Sequence, residues 1–283
     1  MLTLQLSQLP DTFKELSQPP KHLYASNSQL ESLLKRPRIA VVGSRHASPY
    51  GKNVTTQLVR ELVRQGVVIV SGLALGIDSI AHTTCVEEGG ATIAVLPCGL
   101  DRIYPSSHTR LGHQIQQHNG VLVSEYPLYT EPMKYNFIAR NRIIAALSNA
   151  VLLTEAAVKS GSLHTVNFAL ELGLSVLAVP GNITSKTSEG CNNLIRSGAS
   201  LVTNIQDIFD ALGWGNARNN ATTEINPANE QERVILELLR SGVCDGSILL
   251  NKSGLNVAAF GLTLSMLEIT GKIKSTGNNT WSL

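Results

Sequence analysis

The sequence carries almost no net charge, no paired cysteines and no long apolar run. A formal charge of +2 over 283 residues is too small to argue for nucleic acid by itself, so any basic footprint must come from local clustering. The four cysteines, Cys85, Cys98, Cys191 and Cys244, are scattered without a CxxC pair. That spacing speaks against disulfides or a zinc site and suits reduced thiols in a cytoplasmic protein, with all four read as small buried hydrophobes. No apolar stretch reaches the roughly 20 residues needed to span a bilayer. No basic segment followed by an apolar run opens the chain, so neither a signal peptide nor a membrane partner is expected.

What is present is enough chain for one large core and a small extra domain, with the ordinary apolar share of 43%. Residues 1–37 read as a polar lead-in of a short helix or two and extended chain, punctuated by Pro19, Pro20 and Pro37. From Arg38 onward, apolar β-rich runs at 38–43, 67–71, 91–97, 120–124, 149–154 and 175–179, with a weaker one at 199–203, alternate with helical patterns at 50–65, 76–88, 107–118, 138–148, 161–173 and 188–197. The strand runs are continuous rather than alternating in polarity, which is how strands covered on both faces read. Strand and helix repeated this way predict an α/β protein with a parallel, doubly wound sheet over 38–213.

Residues 214–229, polar, Asn-rich and holding Pro227, read as a linker. Residues 230–283 read as three short helices and a terminal hairpin, a winged-helix-like domain. Gly271 is read as stopping the third helix. Acidic and basic residues balance in this part, so it looks more like a packing or protein-contact module than a reader of duplex DNA.

The chemistry gathers at the ends of the strand runs. Gly43-Ser44-Arg45 closes the first: a glycine for a tight turn, a hydroxyl, and an arginine fork for phosphate oxygens, at the edge where open α/β sheets bind ligands. The loop Ser71–Asp78 resembles a dinucleotide glycine loop, but it follows the second strand and its spacing fails GxGxxG. The run that should end in a ribose-binding acid ends in Pro97-Cys98-Gly99, so NAD is disfavoured. Gly51-Lys52-Asn53 is no Walker A end, since His46 stands where the earlier glycine is needed. Asp78 and His82 share a helix face. They read as an acid/base pair, half a metal site, or, the favoured reading, a hydrogen-bonded tether of the glycine loop.

The densest signal is Lys134 through Arg142, with Tyr135 and Phe137 among three cations. From there to Arg196, the bases Lys134, Arg140, Arg142, Lys159, Lys186 and Arg196 outnumber the acids Glu155, Glu171 and Glu189. Cations with an aromatic between them suit a single-stranded nucleic-acid groove. The plainer reading is a helix start whose Phe packs inward and whose arginines are solvated. Ser160-Gly161-Ser162, before a helix, offers amides and hydroxyls to an anion or simply caps that helix. Pro180-Gly181-Asn182 ends the next strand at the same edge.

These residues occur in an order that resembles the DNA-processing protein A (Smf) family: Gly43-Ser44-Arg45, the Ser71–Asp78 loop with His82, Leu96 through Gly99, Ser124-Glu125, Phe137 through Arg142, Ser160 through Ser162, Pro180 through Asn182 and Gly190-Cys191-Asn192. The resemblance is dense over about 20–213 and loose over 230–283. It implies an extended Rossmann-like domain that binds single-stranded DNA without catalysis, a homodimer, and a role in loading the RecA recombinase onto DNA in natural transformation. By the same resemblance, Arg45 and Lys134 hold phosphates and Phe137 contacts a base. Gly43, Ser44, Gly72, Ser160, Gly161 and Asn182 line the pocket, and Arg140 and Asn141 count among the DNA-binding residues. No metal or cofactor is expected. Family members often carry a further N-terminal helical domain, which residues 1–37 are too short to supply.

The alternative is a Rossmann-like nucleotide hydrolase that cleaves an N-glycosidic bond. Such enzymes use a Gly-Gly-x-Gly-Thr loop followed by Glu. The corresponding run here, Lys159 through Thr165, lacks the glycine pair, and no Glu follows until Glu171.

Overall fold

In the computed structural model the seven apolar runs and two strands that precede them form a nine-stranded sheet in the order β1-β2-β6-β5-β4-β3-β7-β8-β9. The chain divides into two compact units, Met1–Gly215 and Asn216–Leu283, and the structure describes residues 1–214, 229–240, 242–270, 272–277 and 279–282. The strands of the first unit are β1 (Leu2–Gln5), β2 (His22–Ala25), β3 (Arg38–Val42), β4 (Val68–Ser71), β5 (Ala91–Val95), β6 (Asn119–Ser124), β7 (Ala150–Leu153), β8 (Ser175–Ala178) and β9 (Ser200–Leu201). From β6 across to β9 every pairing is parallel. β1 and β2 are antiparallel additions at the β6 side.

The helices of this unit are α1 (Gln29–Leu33), α2 (Pro49–Arg64), α3 (Ile77–Glu87), α4 (Thr109–Gln117), α5 (Lys134–Ala146), α6 (Leu163–Glu171), α7 (Glu189–Arg196) and α8 (Ile205–Ala211). Successive side chains of a strand point to opposite faces, and β3 divides accordingly. Ala40 and Val42 join the core beneath α5 and α6, with Ile143, Val166 and Ala169. Ile39 and Val41 join the core beneath α2 and α3, with Leu58, Leu62, Ile77 and Ala81. Burial on both faces explains the unbroken apolar runs and establishes the doubly wound, mostly parallel sheet.

The sequence reading placed no strand before Arg38, whereas Leu4, Leu23 and Ala25 of β1 and β2 are fully buried. These four-residue strands bury one face only, so their apolar residues alternate with polar ones and leave no run to recognise. Helix α5 begins at Lys134, a turn earlier than its pattern predicts, which puts Lys134 and Phe137 on the helix. Helix α8 also lies outside the sequence reading. Asn204 and Asp207 start it, the Asn204 side chain accepting from the Gln206 and Asp207 amides while Asp207 accepts from the Asn204 amide.

The second unit holds α9 (Glu230–Arg240), α10 (Gly246–Ser253), α11 (Val257–Ile269) and a hairpin of β10 (Lys274–Gly277) and β11 (Thr280–Ser282). Ile235, Leu239, Leu249, Phe260, Leu264 and Leu267 form its core. Of the linker read at 214–229, residues 215–228 lie outside the described residues, as do Gly271, Asn278 and Leu283. Cys85, Cys98 and Cys191 are buried as expected, but Cys244 is exposed. It lies just before α10, between Val243, which packs against the unit's core, and the helix cap Asp245.

Candidate nucleic-acid interface

Strand order reverses at β3: β4, β5 and β6 build outward on one side, β7, β8 and β9 on the other. At such a switch point the loops leaving neighbouring strands part and open a crevice at the carboxyl ends. A pocket of about 180 Å³ lies there, lined by Gly43, Arg45, Phe137, Asn141, Ser160 and His164 among others.

Gly43 is required by close approach. A Cβ there would sit 2.6 Å from the Glu155 carbonyl oxygen, and the next amide, of Ser44, donates to that same oxygen at 2.7 Å. The loop from β3 is thereby laced to the end of β7. The Ser44 hydroxyl turns back into its own loop, donating to the His46 carbonyl and accepting from the His46 amide. Arg45 then projects outward, exposed, with no ion pair among the described residues. Its guanidinium carbon lies 5.7 Å from the Phe137 ring centroid, a cation–π arrangement that orients both groups.

The arginines of the cation-rich segment correct the sequence reading. Arg140, only 3% exposed, points into the protein, its Nη1 donating to the carbonyls of Gly72 (2.6 Å) and Val95 (2.5 Å). Burial pulls its pKa down to about 10, opposed by the charge of Asp78. It touches the pocket wall, but its Nη1 is committed to the backbone and its Nε donates to the Asn141 side-chain oxygen at 3.3 Å. Arg142 is buried against Glu125 at 2.5 Å. Of the three cations between 134 and 142, Lys134 alone is exposed. It sits on the first turn of α5, just before Phe137, and is not part of the pocket wall.

Asp78 and His82 also separate in role. Asp78 Oδ2 accepts from the Gly72 amide at 3.0 Å, so the carboxylate does tether the glycine loop; burial pushes its pKa up. His82 Nδ1 instead meets the Thr92 hydroxyl at 2.8 Å, and burial lowers its pKa to about 3. A neutral, enclosed imidazole is a packing group. Among the described residues no three His, Cys, Asp or Glu side chains gather as a metal site.

Ser160 and Ser162 share a hydroxyl–hydroxyl hydrogen bond of 2.7 Å before α6, and the Asn141 amide donates to the Gly161 carbonyl at 3.4 Å. The start of α6 therefore faces the crevice with the Ser160 and Ser162 hydroxyls, while the Leu163, His164 and Thr165 amides close its first turn onto the carbonyls of Ser160, Gly161 and Ser162. Gly72 borders a second slot of about 80 Å³ that shares Arg45, Phe137 and Arg140 with the first pocket. Asn182 is not brought into either. It lines a separate cavity of about 540 Å³ with Ser48, Tyr50 and Glu155, beyond the end of β7. His164 and Tyr104 are wall residues that sequence reasoning missed. Tyr104 lies in the loop after β5, where no pattern marks it, and its ring centroid is 5.2 Å from that of Phe137.

A family model described as DNA recombination-mediator protein A matches residues 1–213. Protein Smf of Escherichia coli is 47% identical over 178 residues, covering 63% of this chain, and the chain spans about half the length of that curated relative, 48%. Among solved structures, DNA processing protein A from Streptococcus pneumoniae superposes with a TM-score of 0.68 at 40% identity, covering 74% of this chain and 73% of that one. DNA processing protein A from Helicobacter pylori, studied for its single-stranded DNA binding mode, superposes with a TM-score of 0.67 at 36% identity, covering 76% and 97%.

Proposed function

Because the chain belongs to the DNA recombination-mediator protein A family, we propose that it is a non-enzymatic single-stranded DNA-binding protein that loads the RecA recombinase onto incoming DNA. The observation that carries this reading is Arg45, an exposed cation without an ion pair among the described residues, held over an aromatic ring at the switch point of the sheet. Phosphates approaching Arg45 meet the Ser160–Ser162 loop and the start of α6. Lys134, one turn before Phe137, extends the positive track along the backbone of the strand. Phosphate contacts of this kind are blind to sequence and sensitive to salt. The H. pylori protein's binding of single-stranded DNA supports the same ligand here.

The working unit in this reading is a cytoplasmic homodimer. The sheet ends at β9, where exposed Leu170 borders a groove with Leu174, Val176 and Leu194, and Leu201 is exposed beside it. A second copy covering this edge would present two pockets to one strand and raise avidity. The winged-helix-like unit serves protein contact, in keeping with its balanced charge. Hydrolysis of an N-glycosidic bond gains nothing from the site: Asp78, the carboxylate on the pocket wall, is committed to the Gly72 amide.

The test is binding of the purified protein to a fluorescent single strand and its matching duplex across a salt series. A strong single-strand preference with a steep salt slope is expected. Equal affinity for both, or no binding, overturns the reading.

A further inference from the structure

Of the phosphate contacts above, the slot on the far side of Phe137 shares Arg45 and none of the others. It shares Arg45, Ala74, Phe137 and Arg140 with the first pocket, so these residues form a partition between two compartments. The compartments differ in chemistry. Beyond the partition, the polar side chains of Asn141, Ser160, Ser162, His164 and Thr165 line the first, together with Val42, Ile138 and Ile144. The second, beyond the same partition, is lined by Gly72, Leu75, Pro97, Tyr104 and Pro105. Arg140 borders it too, but spends its Nη1 on the carbonyls of Gly72 and Val95. One compartment suits phosphate and sugar; the other suits a flat, apolar ring.

Within the aromatic pair the two rings are unequally available. Phe137 is half-buried, with Arg45 over its ring. Tyr104 meets it edge-on at 68° and remains 41% exposed, beside exposed Leu75. Edge-to-face packing fixes the plane of the Tyr104 ring while leaving its surface open. An exposed, oriented aromatic beside a free cation is the arrangement on which successive bases of a single strand stack.

We infer that Tyr104, with Leu75 and Pro105, forms a second nucleobase subsite, taking the base adjacent to the nucleotide whose phosphate Arg45 holds. The inference rests on the single-strand reading above. Its ligand is a base of any identity, because stacking on Tyr104 uses the π-face that every base has. The strand would thus straddle Phe137, with one nucleotide on each side of the Arg45–Phe137 partition.

The experiment is an abasic scan: a short single strand from which one base at a time is removed, bound to the full chain. Wild-type protein should lose about tenfold in affinity at two neighbouring positions, one for each side of Phe137. Tyr104→Leu should bind the intact strand about tenfold more weakly and be indifferent to the abasic site at one of those two positions. Tyr104→Trp, which keeps a stacking face, should behave as wild type. With 2-aminopurine at that position, emission should be quenched by wild type and Tyr104→Trp. A wild-type scan with a single sensitive position overturns the inference without recourse to any variant. So does a Tyr104→Leu protein equally weakened at every abasic position, or one that binds as tightly as wild type. Failure of wild type to bind the intact strand overturns the single-strand reading itself and is distinguishable from all of these.

Discussion

A Cβ on Gly72 would lie 2.7 Å from the Arg140 guanidinium carbon. Gly72 donates its amide to Asp78 and accepts Arg140 at its carbonyl, so the residue is held on both sides by helices α3 and α5. Arg140 cannot swing away cheaply, because it is buried and also fastened to the Val95 carbonyl. Gly72→Ala should therefore cost about 3 kcal/mol of stability, read from urea unfolding at neutral pH. Wild-type stability in this variant would mean that Arg140 is not fixed.

Arg45 is exposed and makes no ion pair among the described residues, so its removal should leave the fold intact. Arg45→Ala is expected to weaken strand binding to a similar degree across all sequences and to reduce the slope of log affinity against log salt by about one. Unchanged affinity would remove the pocket from the binding site.

Phe137 separates the two compartments and supports both Arg45 and Tyr104. Phe137→Ala should cost about 1–3 kcal/mol of strand affinity in a protein that still unfolds cooperatively. Loss of folded protein in place of weaker binding assigns Phe137 to packing.

His82 gives the fold an acid limit. Its pKa falls from the ordinary 6.5 to about 3, mainly through burial, so between those values the unfolded chain takes up a proton that the folded chain refuses. Stability is full above pH 6.5 and is lost as pH falls through that window, by about 2 kcal/mol at pH 5 from this group. Urea unfolding at pH 7 and pH 5 should show this loss in wild type and a smaller one in His82→Leu. Equal losses in both would place the acid sensitivity elsewhere.

The sheet was legible because strands buried on both faces leave unbroken apolar runs, as in Arg38–Val42 and Ala150–Leu153. The strand ends were legible for the same reason, and with them Gly43, Arg45, Ser160 and Gly161. The direction in which Arg140 points was not. That depends on the carbonyls of Gly72 and Val95, 68 and 45 residues away, and a helical segment rich in cations does not reveal which of them the tertiary structure has turned inward. The cavity that Asn182 lines was hidden for a related reason. The sequence places Asn182 at the correct sheet edge, but not in which of the adjoining crevices. Tyr104 comes from an irregular loop, where neither periodicity nor spacing singles out a side chain.

The double fastening of Gly72 has a thermodynamic consequence for whatever enters the crevice. A loop whose amide and carbonyl are both engaged before the ligand arrives has little freedom left to surrender on arrival. The entropy of association then falls mainly on the flexible partner, whose own torsions must be frozen to follow the wall. Differences in affinity among ligands of equal charge should accordingly track how closely their resting shape follows the wall, with strands already held in that shape favoured over limp ones, while the protein contributes the same rigid template each time.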